Sequence, residues 1–154
     1  MKQIKYTLAL LLAACCCFPA QAAAIEAQKD LKIQEVFRRY GKNKNVTMVE
    51  LSNEMVETFS MTHYKSITIK DDREALQFIR HCLDEDQQGA RKIKEVTDDG
   101  GLISAYYQLP GNKEDLNRFI LFKLSRRKVI TLVYIEGELD SDDLITILFT
   151  KKDL

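Results

Sequence analysis

The side chains best suited to nucleophilic, acid–base or metal chemistry in this chain are His63, His81 and Cys82, the only cysteine outside the N-terminal stretch. A metal centre needs several His, Cys, Asp or Glu groups converging on one point. His81 and Cys82 are neighbours on a helix pattern, about 100° apart, so they do not share a face as an i, i+4 pair does. Cys82 falls on the apolar stripe of that pattern, which makes it a buried structural thiol rather than a nucleophile. A serine nucleophile would need a base and an orienting group. No Gly-x-Ser-x-Gly elbow is present, and Ser52, Ser60 and Ser66 have strand or turn contexts. The carboxylate pairs Asp71-Asp72, Asp98-Asp99 and Asp142-Asp143 sit where turn and cap chemistry accounts for them. Gly100-Gly101 leads into a strand pattern, so it is no phosphate-binding loop. No catalytic, metal or cofactor-binding residue is assigned, and no cofactor is expected.

Two features point instead to binding. Arg126, Arg127 and Lys128 form a basic cluster, read first as a solvated turn and, functionally, as a contact for an acidic partner or an anionic head group. Phe119 and Leu121 are surplus apolar residues on the second face of a strand, joined by whichever of Tyr106 and Tyr107 points the same way. Either a helix covers them or a partner does, because soluble monomers avoid large exposed apolar patches.

The elements that must position these residues centre on Asn117 to Asp140. Ile120, Phe122 and Leu124 alternate with Phe119, Leu121 and Lys123, as side chains do along a strand. Val129 to Ile135 is apolar except for Thr131, the mark of a strand covered on both faces. Ser125-Arg126-Arg127-Lys128 between them lacks Asn-Gly or Asp-Gly and predicts a hairpin loop of three or four residues.

Upstream, Asp30 is the candidate N-cap of a helix carrying Ile33, Val36, Phe37 and Tyr40 and stopped by Gly41. Val46 to Ser52 and Tyr64 to Lys70 alternate as strands, and Asn53 to His63 between them suits a short helix or turn. Asp71-Asp72-Arg73-Glu74 looks like a capping box opening a helix with Leu76, Ile79, Cys82 and Leu83 on one stripe, ended by Gly89. Residues 90–97 fit either a helix or a strand; the Asp98-Asp99-Gly100-Gly101 turn favours a hairpin with Leu102 to Leu109. Asp140 should cap a last helix with Leu144, Ile147 and Leu148 buried. The fold class is therefore α+β: one antiparallel-rich sheet of five or six strands with about three helices packed on it.

At the N-terminus Lys2 and Lys5, the apolar run Leu8 to Ala14 and Ala20-Gln21-Ala22 form a signal peptide over residues 1–22, leaving a single domain over 23–154. The alternative is a lipoprotein signal over 1–14, because Leu12-Ala13-Ala14-Cys15 matches the bacterial lipobox and would lipidate Cys15. Neither apolar run reaches the roughly 20 residues a transmembrane helix needs. Removing Lys2 and Lys5 from 23 basic residues leaves 21 against 23 acidic, which argues against nucleic acid held by bulk charge. Only Cys82 remains after cleavage, so no internal disulfide is available; about 130 residues can bury about two-thirds of their unfolded surface without one.

The Tyr40-Gly41 helix end, Val46-Thr47-Met48-Val49-Glu50-Leu51-Ser52 with Met55, and Val133-Tyr134-Ile135-Glu136-Gly137-Glu138-Leu139-Asp140 resemble a domain-of-unknown-function family of small exported Bacteroidetes proteins. The resemblance spans nearly the whole chain after the signal, on motifs that specify strands and caps rather than chemistry. It implies export in a Gram-negative envelope, periplasmic or lipid-anchored, and no known activity. The expectation is a non-enzymatic binding module with a protein partner or a second copy of itself, the alternatives being an unrecognised envelope hydrolase using His63 or an acidic loop, or a small-ligand carrier.

Overall fold

A computed structural model describes residues 31–111 and 116–150, with side chains described as far as Thr146. The signal segment, Cys15 and Asp30 lie outside the described residues, as do Asn112 and the side chains of Ile147 and Leu148. The elements run α1 (Ile33–Tyr40), β1 (Val46–Glu50), α2 (Asn53–Thr58), β2 (Met61–Lys70), α3 (Arg73–Asp86), β3 (Arg91–Asp98), β4 (Gly101–Leu109), β5 (Asn117–Leu124), β6 (Val129–Gly137) and α4 (Ser141–Thr150). The strands form one antiparallel sheet in the order β1-β2-β6-β5-β4-β3.

Alternation divides the core in two. Ile120, Phe122, Ile130, Leu132 and Tyr134 face one way and pack with Ile67 and Ile69 against Ile33, Val36 and Phe37 of α1 and Ile79, Cys82 and Leu83 of α3. Phe119, Val133 and Ile135 face the other way and pack with Tyr106 and Met61 against Val56 of α2 and Leu139 and Leu144 at the start of α4. The near-continuous apolar run of β6 thus has the predicted cause, burial on both faces. The β5–β6 hairpin pairs Leu124 with Ile130 and Asn117 with Gly137, and residues 90–97 resolve as the strand of a hairpin.

Among the described side chains, helix cover of the second face gathers at one end. Along the register, Thr47, Thr68, Thr131, Lys123, Ser104 and Val96 form a row across all six strands, and Val96 at its end is 37% exposed. Glycine is required where the covered end closes. A Cβ on Gly137 would overlap the Ser60 carbonyl and the Met61 Cα, where Ser60 turns at φ 56° and its carbonyl accepts from the Glu138 amide at 2.9 Å.

The amides at the start of α1 are met by Asp86, at the far end of α3, whose two carboxylate oxygens accept from Lys32 N and Ile33 N at 2.8 Å each. Two local expectations change. The N-cap of α3 is Asp72, accepting from Ala75 N at 2.8 Å, while Asp71 turns into the left-handed region at φ 48°. Glu74 therefore closes no capping box and bonds Arg39 instead at 2.6 Å. Strand β2 begins at Met61 rather than Tyr64, its first residues held by a bulge against β6. At the end of the chain Asp140 caps α4 as expected, accepting from the Asp142 and Asp143 amides at 2.8 Å.

Because Asp86 joins the two first-face helices through orphan donors, Asp86→Ala should lower stability by about 1–2 kcal/mol in urea unfolding, the usual loss on removing a helix N-cap acceptor.

Candidate functional site

The β5–β6 loop is a tight turn: the Lys128 amide donates to the Ser125 carbonyl at 3.0 Å, and the Ser125 amide donates to the Val129 carbonyl at 2.9 Å. Lys128 closes it at φ 56°, a conformation usually filled by glycine. Its backbone carbonyl accepts from the Asp71 amide at 2.9 Å, and Asp71 itself sits at φ 48°. Two left-handed non-glycine residues therefore meet, fastened by a backbone hydrogen bond and by a Lys128 Nζ–Asp71 contact of 3.3 Å. Both side chains are more than 70% exposed, so the ion pair adds little and the backbone bond carries the junction.

Beneath this junction lies a cleft of about 220 Å³ lined by Asp71, Asp72, Arg73, Leu76, Leu124, Lys128 and Ile130. Its floor is Leu76, Leu124 and Ile130. On its rim the acids are engaged, Asp72 as a cap and Asp71 with Lys128. Arg73, Arg126 and Arg127 are exposed and make no ion pair or hydrogen bond among the described residues. The cleft lining thus balances Asp71 and Asp72 against Arg73 and Lys128 around Leu76, Leu124 and Ile130, and Arg126 and Arg127 add positive charge on the adjoining loop rather than in the lining. Left-handed backbone at non-glycine residues collects at binding and switch sites more than elsewhere.

The other expected binding feature is altered. Phe119 is fully buried, 0% exposed, its ring 6.0 Å from that of Tyr106 beneath the α2–α4 end. It cannot serve as a surface anchor, since a helix covers it. Leu121, one step toward the open end, is only partly buried against the same cluster. Of the two tyrosines it is Tyr106 that shares this face; burial, then Asp140 and Asp142, push its hydroxyl up to about 12.

Neither histidine joins the cleft. His81 is exposed and lies 3.1 Å from Glu85 one helical turn on. His63 is exposed on β2, in register with Glu136 of β6 and through it with Arg118 of β5. That row is six residues along β6 from Ile130, about 20 Å at strand rise. Glu136, which sequence patterning passed over, is 8% exposed and accepts from the Tyr134 hydroxyl at 2.8 Å. Burial first, and the Glu136 carboxylate second, raise the Tyr134 phenol, so this pair is a hydrogen-bond lock with an un-ionised phenol. An acid two residues from a tyrosine inside an apolar strand run was the available signal. Among the described residues no group of three or more His, Cys, Asp or Glu is placed to hold a metal ion, and no helix is long and apolar enough to cross a membrane.

Cys82 is 2% exposed between α1, α3 and the sheet. Burial, followed by Asp86, lifts its thiol from 9 to about 11.

An antiparallel sheet with helices on both faces and a cleft beside the β5–β6 loop define an α+β protein. The chain belongs to a family of unknown function, DUF6108, whose model matches residues 20–148. No curated protein matches it. A solved structure similar to it is the crystal structure of PA94, a protein of unknown function from Pseudomonas aeruginosa, 14% identical over 72% of this chain and 79% of that one, with a TM-score of 0.36.

Two measurements check these placements. Lys128→Gly should raise stability by about 0.5–1 kcal/mol in denaturant unfolding, because glycine enters the left-handed region without the penalty an L side chain bears. For Cys82 the folded thiol is the weaker acid, so the unfolded state loses its proton first and stability falls as pH rises from about 9 to about 11. Native protein at pH 8 should react with a thiol reagent no faster than it unfolds, and Cys82→Ala should remove the first part of the alkaline decline in melting temperature.

Proposed function

We propose that this is an exported, non-enzymatic binding protein of the cell envelope, which holds an acidic segment of a partner protein against the β5–β6 loop with one apolar side chain of that segment in the cleft. The observation that carries this is the cleft itself: Leu76, Leu124 and Ile130 line it together with Asp71, Asp72, Arg73 and Lys128, and the adjoining loop adds Arg126 and Arg127, which like Arg73 have no ion pair or hydrogen bond among the described residues. At about 220 Å³ it falls below the roughly 300–1,000 Å³ of drug-sized ligand pockets and suits a single Leu or Phe. An anchor in a pocket with a charged rim is how small interfaces concentrate their energy. Export is supported by Lys2, Lys5, the apolar run and Ala20-Gln21-Ala22, and by the likeness to small exported Bacteroidetes proteins; soluble periplasmic and Cys15-anchored forms both present the same domain. A hydrolase would need His63 beside carboxylates in a cleft, and His63 lies at the opposite end of the sheet.

A photo-crosslinking residue at position 126 of the full chain, expressed in its host, should trap one discrete protein. Arg73→Glu with Arg127→Glu should cut that yield about tenfold, the effect of removing about 1.4 kcal/mol of charge attraction. A crosslink indifferent to the reversal, or none while the protein accumulates in the envelope fraction, would sink the proposal.

A further inference from the structure

The two edges of the sheet are built differently. Strand β3 carries Arg91, Lys92, Lys94, Glu95 and Asp98, is interrupted between Lys92 and Lys94 and again between Val96 and Thr97, and is exposed almost throughout. Charges and bulges of this kind keep an edge from pairing with another chain. At the other edge β1 reads Val46-Thr47-Met48-Val49-Glu50, pairs β2 with no register shift, and has no lysine, arginine or proline.

The direction of its free backbone groups follows from one bond. The Leu51 amide donates inward to the Tyr64 carbonyl, and in an antiparallel ladder residues alternate between pairs that exchange hydrogen bonds and pairs that do not. Thr47 and Val49 therefore bond inward to β2, while the amides and carbonyls of Val46, Met48 and Glu50 point out of the edge. We infer that β1 pairs antiparallel with β1 of a second copy about a two-fold axis at Met48, joining the two sheets edge to edge.

That register is self-complementary. It sets Met48 against Met48, Val46 against Glu50 and Thr47 against Val49, so every outward group meets an outward group and no like charges oppose. Glu50, the only charge, keeps Lys65 at 3.3 Å within its own copy. The Val46 amide is taken by the Asn43 carbonyl at 3.2 Å, which leaves about four backbone hydrogen bonds across the axis by the ladder rule. The Thr47–Thr68–Thr131 row would run on into the partner through Val49 and its exposed neighbours. Five residues a side make a small interface, so the dimer is weak, with a dissociation constant on the order of 100 µM, as for other interfaces below about 1,200 Å². Ile130 of the cleft stands in the same row as Val46, two strands in from the edge, so the variants below separate this pairing from the partner proposed above.

The test is sedimentation of the purified full chain from low micromolar to millimolar concentration, with hydrogen exchange read at both ends. The expected result is a monomer–dimer equilibrium in which exchange at Met48 and Glu50 slows at least tenfold on dimerisation. Glu50→Pro removes an outward amide, as an edge position tolerates, and should leave a monomer at every concentration with a nearly unchanged melting temperature. Glu50→Ala should still dimerise, and so should Arg126→Glu with Arg127→Glu. A monomer throughout the range, a dimer whose β1 amides stay unprotected, or a folded Glu50→Pro that still dimerises overturns the inference.

Discussion

Burial of β6 on both faces is the constraint on which the rest of the molecule depends. Residues Ile130 to Ile135 send alternate side chains into two separate apolar clusters, so a sheet with helices on one face only would leave Val133, Ile135 and Phe119 in water. At about 25 cal/mol per Å² of apolar surface, each such side chain is worth roughly 1.5–3 kcal/mol. The short α2 and the start of α4 supply the second cover through Val56, Leu139 and Leu144. Among the described residues their contacts gather at one end of that face, while threonines, a serine, a lysine and Val96 form a row across the strands beyond it.

This division explains what the sequence made legible. Period-two and period-3.6 patterns located the strands and the buried stripes of α1 and α3, because those residues are apolar for a local reason: each lies on one face of one element. The hairpin loop was legible in length and position, since Ser125 to Lys128 is the one polar break between two apolar runs. What could not be read was anything set by approach in three dimensions. Asp86 caps a helix some fifty residues earlier in the chain, and no local pattern ties it to Lys32 and Ile33. Phe119 and Leu121 are adjacent members of one strand face, yet one is sealed and the other half open, a difference the strand pattern alone does not carry.

The cleft shows the same limit. Its floor takes Leu76 from α3, Leu124 from β5 and Ile130 from β6, each apolar for an ordinary packing reason. The mouth exists because Asp71 and Lys128 both turn through left-handed backbone and share a hydrogen bond. Local propensity argues against a lysine there, though an aspartate enters left-handed backbone more readily, and disagreement between sequence preference and structure gathers where a protein meets something else. The basic cluster was visible in sequence; the apolar cleft beside its Lys128 was not.

The place of β6 between β2 and β5 has a kinetic consequence. Its partners at Met61–Lys70 come from the first half of the domain, and the hairpin partner β5 belongs to the meander of β3 and β4. Until Val129 to Gly137 is available, the β1–β2 pair and the β3–β5 meander share no strand, and neither can complete its apolar face. Pairings of such long sequence separation form slowly, so β6 is the strand whose docking turns two separate half-sheets into one two-faced core.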